Sequence, residues 1–105
     1  MDAEANMESP FEIQRVTTTA AINIPLNPAA SRYLGKTYTM SLPAANSPAA
    51  NNSTITLAAG SFVGQGVPAG VQLTARFLGA NSSITFVVES TNTVRVLQSL
   101  NMAYP

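Results

Sequence analysis

The sequence predicts an all-β fold, a small antiparallel β-sandwich or barrel of jelly-roll type, with an extended arm at its N-terminal end. Three observations predict it. Apolar and polar residues alternate with period two through much of the chain, and the 3.6-residue period of a helix is nearly absent. Seven prolines are spread along the sequence and interrupt any long helix. Clusters of Pro, Gly, Asn and Ser then divide the alternating runs into six or seven short strands.

The first twelve residues hold Asp2, Glu4, Glu8 and Glu12. They read as an acidic arm over 1–12, with residues 13–105 forming one β domain. "FEIQRVTTTAAINI" follows as one long strand or two short ones, with Phe11 and Ile13 facing one way. "PLNPAASRYLG" (25–35) has two prolines and room for one helical turn over Ala29–Leu34. "KTYTMSL" places Tyr38, Met40 and Leu42 on one face, and Thr37, Thr39 and Ser41 on the other. "PAANSPAANN" (43–52) offers no side chain able to anchor it in a core, so it reads as a loop tip or a partner contact. A short strand in "STITLAA" is carried by Ile55 and Leu57.

The last third alternates most strongly. "VQLTARF" sets Val71, Leu73, Ala75 and Phe77 inward. "SITFVVE" buries Ile84, Phe86 and Val88, and "TVRVLQSL" sets Val94 and Val96 against Arg95 before its alternation fails at Leu97. "GANS" at 79–82 and "STN" at 90–92 read as hairpin links, so residues 71–100 are expected to form a three-stranded antiparallel meander.

Between these regions lies "GSFVGQGVPAGV" (60–71), in which Gly64, Gly66 and Ala69 spell G-x-G-x-x-A. A pyrophosphate turn with that spelling needs a helix after it, whose N-terminus supplies aligned N–H groups. Here Pro68 and Gly70 are followed by an alternating run. The stretch therefore reads as a glycine-hinged loop with Phe62 and Val63 at its apex, either plugging the core or reaching a partner.

Composition bounds the chemistry. The 105 residues include no Cys, which removes disulfides and thiolate metal sites, and no His, the commonest proton shuttle and metal ligand. Beyond the arm the one carboxylate side chain is Glu89, so a carboxylate pair for glycoside hydrolysis is lacking there. The expectation is a non-enzyme without a cofactor. The five cationic side chains (Arg15, Arg32, Lys36, Arg76, Arg95) are scattered, unlike a nucleic-acid footprint. No apolar run approaches a membrane span, and the acidic start is unlike an export signal. Asn51, Asn52 and Asn81 fit N-x-Ser/Thr and read as chance matches in an Asn- and Ser-rich chain.

Only 10% of residues are charged, with Thr, Ser, Asn and Ala supplying the surface. Free monomers usually carry ~25%, so such a surface suits a protein covered by neighbours. In overall character the chain resembles bacteriophage virion proteins, particularly the small capsid decoration (cement) proteins. That resemblance implies an all-β subunit, often a trimer, that stabilises a capsid by clamping major-capsid subunits. Its place would be the virion, after assembly in the host cytoplasm.

Partner contacts are expected from Asp2, Glu4, Glu8, Phe11, Phe62, Val63 and Tyr104. The competing class is a soluble carbohydrate- or ligand-binding β module, with a concave site near Tyr33, Tyr38 or Tyr104.

Overall fold

The computed structural model describes residues 7, 13–15, 23–42, 53–79 and 81–105. Among these, nine strands run in chain order: β1 (Ile13–Arg15), β2 (Asn23–Leu26), β3 (Thr37–Leu42), β4 (Thr54–Leu57), β5 (Ser61–Gly64), β6 (Thr74–Phe77), β7 (Ser82–Ser90), β8 (Thr93–Leu100) and β9 (Met102–Ala103). A single 3-10 turn at Ser31–Tyr33 falls inside the segment expected to hold a helical turn.

Two mixed sheets pack together. One has the order β1-β3-β7-β8-β5, the other β2-β4-β6-β9. The all-β class is as the alternation predicts, but the sheets are not purely antiparallel. β1 runs parallel to β3, β2 to β4, and β5 to β8. The parallel pairs depart from the antiparallel jelly roll expected from sequence, because alternation within a strand marks its buried face and not which distant strand lies beside it.

Between the sheets lies one core. The first sheet contributes Tyr38, Met40, Leu42, Phe62, Ile84, Phe86, Val88, Val94 and Val96. The second contributes Ile24, Leu26, Ile55, Leu57, Ala75 and Phe77. The period-two pattern carries this result directly, since alternate side chains of a strand face opposite ways. Three rings link the core of the first sheet: Tyr38 lies 5.6 Å from Phe86, and Phe62 meets Phe86 edge-on at 6.4 Å.

The expected meander over 71–100 is corrected. β7 and β8 do form a hairpin through Thr91 and Asn92. β6, however, pairs with β4 and β9 in the other sheet. The 79–82 link is thus a corner between layers. Asn81 takes a left-handed conformation there (φ 66°), and its N–H donates to the Leu42 carbonyl at 2.8 Å. The buried Ser82 hydroxyl accepts from the Gly79 N–H at 3.1 Å and reaches the Asn101 carbonyl at 2.8 Å. It therefore ties the corner to the start of β9. A hairpin loop and an inter-sheet corner of this length use the same turn-forming residues, so the sequence alone favours neither.

Val71 and Leu73 are also corrected. Both are exposed, Val71 at 74%, because β6 begins only at Thr74. The residues before it serve instead as a bridge between layers. The Gln72 carbonyl accepts from Phe62 N–H of one sheet, and the Leu73 carbonyl accepts from Leu57 N–H of the other.

Candidate functional site

The residues expected to meet a partner fall in different environments. Asp2, Glu4, Glu8 and Phe11 lie outside the described residues, as does the 43–52 loop. Met7 is the described residue of the 1–12 segment, and it is buried in the core. Phe62 and Val63 sit on strand β5, not at a loop apex. Phe62 is fully buried, so of its two expected roles the structure assigns it the plug; Val63 is half-buried, opposite Arg95 of β8.

Tyr104 packs its ring 6.0 Å from Phe62, and its hydroxyl is shielded from water. Burial pushes the phenol up from its ordinary value, while the nearby Ser99 hydroxyl pulls the other way. No hydrogen bond of good geometry reaches the Tyr104 hydroxyl among the described residues. On β7 and β8, Glu89 and Arg95 form an exposed ion pair that the sequence reading did not pair. The Arg95 hydrogen bond holds the Glu89 carboxyl below its usual range, with partial desolvation opposing it.

The loop spelled G-x-G-x-x-A is a strand end followed by a turn. Gly64 closes β5 at φ 111°, Gly66 lies at φ 78°, and the Val67 N–H donates to the Gly64 carbonyl at 3.2 Å. Residues 67–73 are irregular, and β6 follows them. Among the described residues, no three His, Cys, Asp or Glu side chains gather as a metal site requires.

A cleft of about 470 Å³ opens beside Tyr33. β2 and β4 form its floor, and the 27–33 segment and Ala58 form its walls. The parallel β2–β4 register sets Asn23 opposite Thr54 and Pro25 opposite Thr56. Burial alternates along both strands, so Ile24, Leu26, Ile55 and Leu57 enter the core while Asn23, Pro25, Thr54 and Thr56 take the outer face.

There the Thr54 and Thr56 hydroxyls both donate to Asn23 Oδ1, at 2.9 and 2.7 Å. Asn27 accepts from the Ala29 N–H through its own Oδ1 at 3.1 Å, which starts the turn that carries Arg32 and Tyr33. The Arg32 guanidinium lies 4.8 Å from the centre of the Tyr33 ring and donates through Nη2 to the Tyr33 hydroxyl at 2.8 Å.

Of the three tyrosines named from sequence, Tyr33 lines this cleft but is itself buried. Tyr38 is a core residue and Tyr104 a half-buried one, so the three do not form a common platform. Sequence reasoning missed Asn23, Asn27, Thr54, Thr56 and Arg32. Only Asn27 carried a local signal, an Asn before Pro28 at a turn. The Asn23–Thr54–Thr56 cluster arises from a parallel pairing that nothing near those residues announces.

Compared with protein-family models, with curated proteins and with solved structures, the chain matches none.

Proposed function

We propose that the chain is a non-enzymatic structural subunit of a virus particle, of the bacteriophage decoration type, that binds its own copies and a major capsid or other virion protein. The supporting observation is the apolar side chains left in water. Val71, Leu100, Leu97, Leu34, Leu73 and Leu78 are all exposed, on a chain with few charges to solvate its surface. Two of them, Leu78 and Leu100, lie on neighbouring stretches of backbone. The Leu78 N–H donates to the Asn101 carbonyl at 3.2 Å, which brings Leu78 beside the strand end that carries Leu100. Burying one such leucine against a neighbour is worth about 1.5–3 kcal/mol, so a few together favour association.

Light scattering on the purified chain tests this reading. An oligomer, with a trimer the expected form, is predicted, and Leu100→Ser combined with Val71→Ser shifts it toward monomer. A chain that stays at its 11.0 kDa monomer mass at high concentration overturns the self-association. The acidic segment is tested by replacing Asp2, Glu4 and Glu8 with Ser. Deleting residues 1–10 would also remove Met7 from the core and confuse docking with folding.

A second reading, a ligand-binding β module, is favoured by one observation, the cleft beside Tyr33. Its volume falls within the usual ~300–1,000 Å³ of small-molecule sites, and it combines an ordered polar floor with short apolar walls. Saturable chemical-shift changes at Asn23 and Thr56 on adding a small-molecule library would support it, and their absence would remove it.

A further inference from the structure

We propose that the outer face of the second sheet docks the acidic N-terminal segment of another copy of this chain, with Arg76 receiving Asp2 or Glu4. This rests on the self-association proposed above and names the segment and the surface that meet.

Arg76 lies on β6, where burial alternates. Ala75 and Phe77 enter the core, while Thr74 and Arg76 take the outer face. Across the sheet Arg76 stands between Thr54 of β4 and Ala103 of β9, neither of which carries charge. Its Nε is shielded from water and has no hydrogen-bond partner. A guanidinium N–H withdrawn from water without an acceptor costs free energy that a carboxylate oxygen would recover. With Nε unbonded, the side chain can turn to present its planar fork, which fits a carboxylate through two parallel hydrogen bonds.

Charge counting identifies the source of that carboxylate. Beyond residue 12 the one acidic side chain is Glu89, and Arg95 already binds both of its oxygens. The other four acids, Asp2, Glu4, Glu8 and Glu12, stand in the first twelve residues. A single cation among neutral Thr54, Thr56 and Thr74 suits separate carboxylates, whereas a nucleic acid calls for clustered cations.

Position narrows the choice among the four. Met7 is buried in the core, so the adjacent Glu8 stays close to its own body. Asp2 precedes Met7 by five residues and can extend at most about 17 Å from it, enough to reach a subunit packed alongside. Leu78, two residues past Arg76, is exposed, as is Leu100 on the backbone beside it. A second copy seated over these leucines lies against Arg76 too, and the water it displaces strengthens the ion pair.

The chain has no Cys, so Ala3→Cys gives a nitroxide spin label one attachment point between Asp2 and Glu4. Spin-labelled chain at natural isotope abundance is mixed with ¹⁵N-labelled parent, and the NMR signals of the parent then report contacts between copies. Broadening at the Thr74, Arg76 and Ala103 amides is expected. Self-association, read by light scattering, should weaken at least ~5-fold in Arg76→Gln. Asp2→Asn combined with Glu4→Gln should weaken it equally while leaving the β body and Met7 untouched, which separates lost docking from lost folding. Self-association that both variants leave unchanged, without broadening at those amides, overturns the docking and spares the self-association. Broadening seen only when label and ¹⁵N share one chain, diluted in excess unlabelled chain, overturns the second copy as the source. A chain that is monomeric throughout overturns both.

Discussion

Phe62 and Val63 are neighbours in the sequence and both apolar, yet one is fully buried and the other half-buried. Only the strand conformation of Ser61–Gly64 separates them, by turning alternate side chains to opposite faces. A glycine-rich setting hid that strand from the sequence reading. Tyr104, two residues beyond Met102 of β9, completes the same corner of the core by packing on Phe62. Its raised phenol pKa has a consequence for stability. As pH rises past the ordinary tyrosine value of about 10, the unfolded chain releases its Tyr104 proton first. Stability therefore falls from that point until the folded phenol ionises, and is unaffected by Tyr104 at lower pH. Tyr104→Phe should remove this part of the alkaline loss, as read from urea unfolding of both forms at about pH 8 and about pH 11.

Among the elements, β3 and β7, with three alternating apolar residues each, and the first half of β8, with two, follow the sequence pattern closely. The failure of alternation at Leu97 also has a structural cause. Phe86 pairs with Val96 while Thr85 pairs with Gln98, so Leu97 is the extra residue of a β-bulge, exposed at 48%. The short strands β5 and β9 escaped notice because two to four residues hold too little pattern. The corner at 79–82 was misread because turn chemistry reports a change of direction and not its destination. Gly64 ends β5 with positive φ and passes close to β8. A Cβ there would stand 2.5 Å from the Val96 carbonyl oxygen. Gly64→Ala should accordingly destabilise the fold by about 1–3 kcal/mol, measured as a lowered urea midpoint with an unchanged slope.

For the molecule as a whole, the sequence revealed the class and most of the core, because burial follows alternation. It did not reveal the layer arrangement or the cleft, since both depend on which distant strands lie side by side. Asn23 meets Thr54 and Thr56 only through the β2–β4 pairing, across a separation that no local pattern spans. The exposed leucines were visible as letters but not as surface. Leu97 and Leu100 resemble core residues until the bulge and the end of β8 turn them to solvent.

Every parallel pairing in the two sheets is made by an edge strand: β1 on β3, β5 on β8, and β2 on β4. Parallel neighbours cannot be joined by a tight turn, so each edge waits for a long loop to close, whereas the β7–β8 hairpin closes locally. Folding should therefore begin at that hairpin and finish at the rims, and unfolding should reverse the order. Hydrogen exchange gives the measurement: amides central in β7 and β8 should be the last to exchange, with β1, β2 and β5 opening well before them. Uniform protection across both sheets would mean that the rims are as cooperative as the centre.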